Sequence, residues 1–174
     1  MPIRKLSIVI DADIARASGL SEHPVSKNSR KLLEHIMKCG HSIPMCPTLR
    51  REWNKHRSNY AKRWLASMIA KKRVKFVEDK NSCIKNYISQ NMEEGKLKQI
   101  TIKDAHLVDL ALIEDKLVIS NDDIARAAFC EISKNCLEIT PIIWLNAVSN
   151  REFILQYLSR NCYVPENLYL KPSK

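Results

Sequence analysis

The sequence lacks any apolar run long enough to cross a membrane. Its first strongly apolar stretch, residues 6–10, is too short for the core of an export signal and runs directly into Asp11. We therefore expect a cytoplasmic protein with no membrane partner, in which the six cysteines stay reduced. No two cysteines form a C-x-x-C pair, which argues against a zinc ribbon or redox motif and favours core packing.

Acidic residues are scarce in the first half of the chain. The net charge is +10, and residues 26–75 hold 14 Lys or Arg against two acids, whereas the remainder is slightly acidic. A basic field raises the local concentration of phosphate-bearing ligands, which predicts nucleic acid as a partner. Lysine-rich helices that are merely solvated would give the same composition, so charge alone does not decide.

Short apolar runs alternate with helical periodicity along the chain. The pattern predicts strands at residues 6–10, 41–46, 74–77, 117–120 and 136–139. It predicts helices at residues 26–39, 48–56, 60–72, 103–113, 123–133 and 150–159. This order favours a single α/β domain over residues 1–174, with a central, mostly parallel sheet flanked by helices. Residues 79–99 are a candidate insertion or mobile segment, with one helix-like piece around residues 84–92 that Gly95 would end, and residues 164–174 form a short tail.

Two carboxylates follow the first predicted strand. Asp11 and Asp13 are two residues apart, and ligands of parallel α/β sheets bind beyond the carboxyl ends of the strands. At about 4 Å two like charges repel by roughly 4 kcal/mol at an effective dielectric near 20, so a bound cation or a raised pKa is the natural resolution. Turn and cap chemistry is the alternative role for both residues.

A second pair of acids follows the predicted strand at residues 117–120. Asp122 and Asp123 lie there, so the same argument predicts that they join the site. Ser120 with Asp123 also matches a capping box, and Asn121 or Asp122 fits as the helix cap. Capping is therefore the alternative function of these residues.

Two further acids are candidates by position. Asp104 opens an apolar helix, where Thr101 with Asp104 also matches a capping box. Asp109 lies about 140° around the helix from Asp104, so the two do not aim at one site, and we keep Asp109 as a marginal neighbour. Glu52 is one of the two acids of the basic half, and a surface pair with a nearby basic side chain is its alternative role.

Together these motifs resemble the PIN-domain family of metal-dependent nucleases. In that family an apolar strand ends in D-x-N or D-x-D, a helical Glu follows, a helix begins D-A, and a later strand ends in [ST]-x-D. The matching segments occur in the same order over residues 6–129 and are residues 8–13, Glu52, Asp104-Ala105 and residues 118–122. The resemblance implies a PIN-like three-layer sandwich and an endonuclease that hydrolyses phosphodiester bonds, most often in RNA.

The resemblance also implies roles for individual residues. Asp11, Glu52, Asp104 and Asp122 would be catalytic and would hold Mg²⁺ or Mn²⁺, with Asp13 and Asp123 as further metal ligands. Asp13 replaces the commoner Asn, Asp109 stands where the family usually has a small residue, and residues 79–99 have no clear counterpart. Small members are often toxins of toxin-antitoxin pairs, so an antitoxin protein is a candidate partner, while a homodimer stays open.

Basic side chains near Glu52 are the expected contacts to the nucleic-acid backbone, because a carboxylate site by itself repels phosphate. They are Arg50, Arg51, Lys55, Arg57, Lys62 and Arg63. Three aromatic residues, Trp53, Tyr60 and Trp64, are candidates either for stacking on unpaired bases or for the hydrophobic core.

Two other functions fit part of the sequence. Asp11 and Asp13 also match the nucleophile motif of haloacid-dehalogenase-like phosphatases, although Ala15 stands where that motif expects Thr or Val. A catalytically inactive, basic RNA-binding module on the same fold is the other alternative, because a fold does not establish an activity.

Overall fold

A computed structural model describes residues 3–78 and 82–172. Five short strands form within them: β1 Val9–Ile10, β2 Ile43–Met45, β3 Val74–Phe76, β4 Leu117–Ile119 and β5 Ile143–Leu145. The strands of the pairs β1–β4, β4–β5 and β2–β3 are parallel. They form a three-stranded sheet in the order β1-β4-β5 and a two-stranded sheet of β2 and β3. An isolated parallel bridge between Ser7 and Ser42, just before β1 and β2, connects the two sheets side by side in the order β3-β2-β1-β4-β5.

Eight α-helices surround these strands within the described ranges. They are α1 Ala12–Ala17, α2 Pro24–Cys39, α3 Pro47–His56, α4 Asn59–Ala70, α5 Cys83–Asn91, α6 Lys96–Ile113, α7 Asp123–Ile132 and α8 Arg151–Arg160. α2 packs against α4 and α8, whereas α6 packs against α3, α5 and α7, and α1 contacts both α2 and α3. The chain is therefore a mixed α/β protein with a small, mostly parallel sheet, an arrangement compatible with a three-layer fold.

The core and the helix ends follow from the sequence. The strand residues of β1, β4 and β5 are all buried, as expected for continuous apolar runs covered on both faces. α2 begins at Pro24, which has no N–H to satisfy, and ends at Gly40, whose φ of 80° is the left-handed conformation that favours glycine.

One predicted strand and the start of one predicted helix are wrong, and one helix was missed. Residues 136–139 do not form a strand; Leu137–Ile139 is a 3₁₀ helix, and the edge strand is Ile143–Leu145 instead. α6 begins at Lys96, so Asp104 lies inside the helix and the capping box with Thr101 does not exist; the Thr101 hydroxyl donates to the Leu97 carbonyl at 2.8 Å. The short helix α1 was not predicted.

The segments predicted as an insertion and a tail contain regular structure and core contacts, and the predicted helix around residues 84–92 is confirmed as α5. The described part of residues 79–99 contains α5 and the start of α6, and residues 79–81 lie outside the described residues. Gly95 precedes α6 and does not end α5. In the tail, Tyr169 bridges antiparallel to Ile143 of β5 and Leu170 is fully buried, so this segment packs on the sheet edge; residues 173–174 are not described.

His41 ties three elements together inside the core. Its ring is fully buried, Nδ1 accepts a hydrogen bond from the Leu6 N–H at 3.0 Å, and Nε2 lies 2.8 Å from the Leu158 carbonyl oxygen. Because the Leu6 N–H can only donate, the ring must be neutral with its proton on Nε2. Burial lowers the pKa of His41, and the nearby Lys5, His35 and Arg73 add to this.

We expect this histidine to make folding stability depend on pH. Its folded pKa is below the unfolded value of about 6.5, so the unfolded chain binds the proton first and stability falls as the pH drops below that value. In urea unfolding between pH 8 and 5, His41→Leu should be less stable than the native chain at pH 8. Its free energy of unfolding should also depend less steeply on pH, by up to about 1.4 kcal/mol per pH unit. Leu33→Ala is the control, because it also lowers stability but removes no titratable group, and it should leave the dependence of stability on pH unchanged.

Candidate active-site cleft

The carboxyl ends of β1 and β4 lie side by side. Val9 pairs with Val118 and Ile10 with Ile119, and the Asp11 N–H donates to the Ile119 carbonyl at 3.1 Å. The residues that follow each strand are thereby brought to one edge of the sheet.

A cleft of about 570 Å³ opens at this edge. Its lining includes all six carboxylates proposed as metal ligands from the sequence: Asp11, Asp13, Glu52, Asp104, Asp122 and Asp123. They come from the β1 end, the middle of α3, the middle of α6 and the start of α7. Four separated segments thus contribute acids to a single concave surface.

Ser120 and Asn121 hold the first two carboxylates. The Ser120 hydroxyl donates to Asp11 Oδ2 at 2.7 Å and lies 3.2 Å from Asp13 Oδ2, and the Asn121 N–H donates to that same Asp13 oxygen at 2.8 Å. Asp13 Oδ1 is buried and has no hydrogen-bond partner among the described residues. The site therefore contains an orphaned carboxylate oxygen, which normally costs free energy unless a ligand satisfies it.

The electrostatics of the cleft show an excess of negative charge. Burial raises the pKa of Asp11. Burial and the neighbouring charge of Asp11 raise the pKa of Asp13 to about 7, and the same two causes raise that of Asp104 to about 6. Carboxylates crowded in this way favour either a proton or a bound cation.

His106 is a basic group beside these acids. Its Nε2 lies 3.1 Å from Glu52 Oε2 without hydrogen-bond geometry, so this contact is an ion pair, and its Nδ1 lies 3.2 Å from the Lys103 carbonyl oxygen. Burial by itself lowers the pKa of His106, but Glu52, Asp104 and Asp11 outweigh it and the pKa is raised. Glu52 thus pairs with a residue of α6 and not with a basic neighbour on its own helix.

Asp122 and Asp123 have different partners. Asp122 is the N-cap of α7, with Oδ1 accepting from the Ala125 N–H at 2.8 Å, which confirms the capping role. The Ser120 hydroxyl accepts from the Asp122 N–H, so the predicted capping box between Ser120 and Asp123 does not form. Asp123 accepts from the side-chain amide of Asn146 at 3.2 Å.

Asp109 lies away from the cleft. Its carboxylate accepts from the N–H groups of Ile84 and Lys85, at 2.7 and 3.4 Å, and so holds the first turn of α5. The role of Asp109 is structural, as the 140° offset from Asp104 suggested.

The predicted nucleic-acid contacts do not line the acidic cleft. Five of the six are exposed and Arg57 is half-buried, while the basic side chains of the cleft itself are Arg16, Lys103 and His56. Trp53 and Trp64 are core residues whose indole N–H groups donate to the carbonyls of Ile10 and Leu33, at 3.0 and 2.7 Å. The core alternative is therefore confirmed for both tryptophans.

Several residues of the site were missed from the sequence. Ser120, Asn121, His106 and Asn146 are polar residues that contact acids from distant segments. Ser120 and Asn121 had a signal, because they lie between two candidate acids and a predicted strand end. His106 and Asn146 had none, since their partners are more than 20 positions away.

Comparisons of the chain with protein-family models, curated proteins and solved structures found no match. Within residues 3–78 and 82–172, no three His, Cys, Asp or Glu side chains are arranged as a group that holds a metal ion. In the same part of the chain, no helix is long and apolar enough to cross a membrane.

Proposed function

We propose that this chain is a divalent-metal-dependent endonuclease that hydrolyses phosphodiester bonds, with RNA as the preferred substrate. One observation carries the proposal: acids from four separated segments, chosen from the sequence, line a single cleft at the carboxyl ends of β1 and β4. We also propose that the fold is PIN-like, on the basis of the parallel order β3-β2-β1-β4-β5 and the acids at these two strand ends.

The chemistry of the side chains fits a hard cation. All six acids offer oxygen ligands, which Mg²⁺ and Mn²⁺ prefer. Asp13 Oδ1 lacks a hydrogen-bond partner in the described residues, and burial together with the nearby acids raises the pKa values of Asp11, Asp13 and Asp104. A bound cation would stabilise the ionised form of all three. We therefore assign Asp11, Glu52, Asp104 and Asp122 as ligands, with Asp13 and Asp123 beside them. Mg²⁺ commonly keeps several waters and takes few carboxylates, so a closed cage of protein ligands is not required.

A metal bound there would supply a more acidic water as nucleophile and would neutralise charge on the phosphoryl oxygens. The chain itself would position the reacting groups. Ser120 holds Asp11, Asn121 holds Asp13 and Asn146 holds Asp123, each through hydrogen bonds that fix the carboxylate. Arg16 and Lys103 on the cleft wall would attract the phosphate backbone, which the acids alone repel.

The exposed basic residues extend this attraction outside the cleft. Residues 26–75 carry a net charge of +12, and α3 and α4 contribute Arg50, Arg51, Lys55, Lys62 and Arg63, while Arg57 follows α3. We propose that these side chains hold the strand on either side of the cut by backbone contacts. A toxin role restrained by an antitoxin protein belongs to this proposal, and so does cytoplasmic action.

The direct test is cleavage by the native chain. With Mg²⁺ or Mn²⁺ we expect internal cleavage of single-stranded RNA, faster than of the matching DNA, and its loss on adding EDTA. The reaction products can be followed by gel electrophoresis of a 5′-labelled strand, with a metal-free sample as the control.

Two other outcomes would replace the proposal. A trapped aspartyl phosphate on Asp11, together with release of phosphate from monoesters, would indicate the haloacid-dehalogenase-like phosphatase. RNA binding that is unchanged by acid-to-amide substitutions, without cleavage under any metal condition, would indicate a binding module.

A further inference from the structure

A second, smaller cavity lies on the other side of Lys103. It has a volume of about 150 Å³ and lies beyond the carboxyl ends of β2 and β3, where Cys46 and Val77 follow the two strands. The Val77 N–H donates to the Met45 carbonyl at 3.0 Å, so the strand pairing continues to the edge of the cavity. None of the six acids of the cleft lines it.

The walls of this cavity are mixed in character. Val77, Ile102, Leu110 and Ile113 contribute apolar surface. Polar side chains also line it: Thr48, Glu78, Ser82, Lys85, Lys103, His106 and Asp109. A planar ring with apolar faces and a hydrogen-bonding edge needs this combination of surfaces. An apolar cavity of about 150 Å³ accepts a molecule the size of benzene, so the volume suffices for one ring.

Two residues connect the cavity to the acidic cleft. Lys103 lines both, and His106 lines the cavity while its Nε2 contacts Glu52 of the cleft at 3.1 Å. Lys85 and Lys103 are exposed and form no ion pair in the described parts of the chain. A polyanion leaving the cleft past Lys103 therefore meets a second lysine, Lys85, at the cavity.

An exposed aromatic ring lies at the end of β3, although its side chain does not line the cavity. Phe76 immediately precedes Val77 and is 56% exposed, although it is a large apolar side chain at the end of a strand. The guanidinium carbon of Arg50 lies 5.3 Å from the centre of its ring. Exposed aromatic rings beside arginine are typical of surfaces that stack on unpaired bases.

We propose that the cavity between α3, α5 and α6 binds one nucleobase of the substrate strand, next to the phosphate held in the acidic cleft. The backbone of the strand crosses Lys103, and the base inserts between Val77, Ile102 and Ile113. This site rests on the proposed nuclease function for its substrate, and it adds a preference for the nucleotide beside the cut.

Binding of single nucleotides tests the cavity without any reaction. AMP, GMP, CMP and UMP are titrated into the native full-length chain without metal, with ribose 5-phosphate as the probe that lacks a base. We expect at least one nucleotide, but not ribose 5-phosphate, to shift the NMR signals of the Ile102 and Ile113 methyl groups. Equal shifts from ribose 5-phosphate, or none from any nucleotide, would overturn the proposal.

Filling the cavity provides the second test. Ile102 is only partly buried, so Ile102→Trp adds a ring to the cavity with little demand on the core; Gln99→Trp places the same ring on an exposed turn of α6. Ile102→Trp should weaken nucleotide binding about tenfold and flatten the preference for the nucleotide beside the cut, whereas Gln99→Trp should change neither. Circular dichroism of both variants checks folding.

The two proposals fail separately. Nucleotide binding in the cavity of a chain that never cleaves RNA would leave the base site standing and remove the nuclease. Metal-dependent cleavage with an unchanged nucleotide preference in Ile102→Trp would leave the nuclease standing and remove the base site.

Discussion

Asp104→Asn is expected to lower metal-dependent cleavage of RNA at least about a hundredfold while making the metal-free protein more stable. The loss of activity follows from removing a charged ligand at the centre of the acidic cleft, where Asp104 is buried near Asp11 and Asp122. The gain in stability follows from the same crowding. Active-site substitutions often exchange activity for stability, so the response of stability to Mg²⁺ is what identifies a cation site.

The sign of the stability change comes from the pKa of Asp104. Burial and the charge of Asp11 raise this pKa from 3.8 to about 6, so folding stability falls as the pH rises between these two values and stays lower above them. At pH 7 the shift corresponds to a cost of about 3 kcal/mol, which the neutral amide would not incur. Thermal unfolding with and without Mg²⁺ should show that the metal raises the unfolding temperature of the native chain and raises that of Asp104→Asn only slightly.

Asp115→Asn is the matched control. Asp115 follows α6, its carboxylate accepts hydrogen bonds from Arg4 and from the Ser7 N–H, and it lines neither the acidic cleft nor the smaller cavity. We expect this variant to keep its cleavage rate and its response to Mg²⁺. If Asp104→Asn cleaved RNA as well as Asp115→Asn does, the assignment of Asp104 as a ligand would be wrong.

The sequence predicted the parts of the fold that depend on local pattern. The runs that form β1 and β4 are apolar and are followed by acids. A continuous apolar run is the pattern expected of a strand that is buried on both faces, so these strands could be recognised from the sequence. The fifth strand was misplaced because residues 136–139 and Ile143–Leu145 are both short apolar runs. Pairing with β4 selects the second run, and Leu137 remains 73% exposed, which no local pattern indicates.

The site was predictable to the extent that it depends on the pairing of parallel strands. Acids at the ends of adjacent parallel strands must approach each other, and Asp11 and Asp122 do so. The start of α6 was predicted too late, since the polar segment before Thr101 hides its first turns, yet Asp104 still lines the cleft. The contact between Glu52 and His106 depends on how α3 packs against α6, which is a tertiary property.

The positions of the aromatic residues also depend on tertiary packing. Their residue types alone did not show whether they stack on bases or pack in the core. Trp53 is fully buried, its ring centre lies 6.1 Å from that of Trp64, and its N–H donates to the carbonyl of Ile10, directly before Asp11. Phe76, at the end of a strand, is the exposed ring instead. Burial thus assigns Trp53 to the support of the cleft and not to its surface.

Trp53→Ala is therefore expected to cost about 3–5 kcal/mol of folding stability, a large share of what a domain of this size has. Trp53→Phe keeps most of the packing but leaves the Ile10 carbonyl without its partner, for a smaller loss of about 1–3 kcal/mol. Urea unfolding followed by circular dichroism measures both, with the exposed Lys55→Ala on the same helix expected within about 0.5 kcal/mol of the native chain. A stable Trp53→Ala variant that binds RNA more weakly would instead make Trp53 a stacking residue, and α3 would then present to the nucleic acid the face that now packs beneath Asp11.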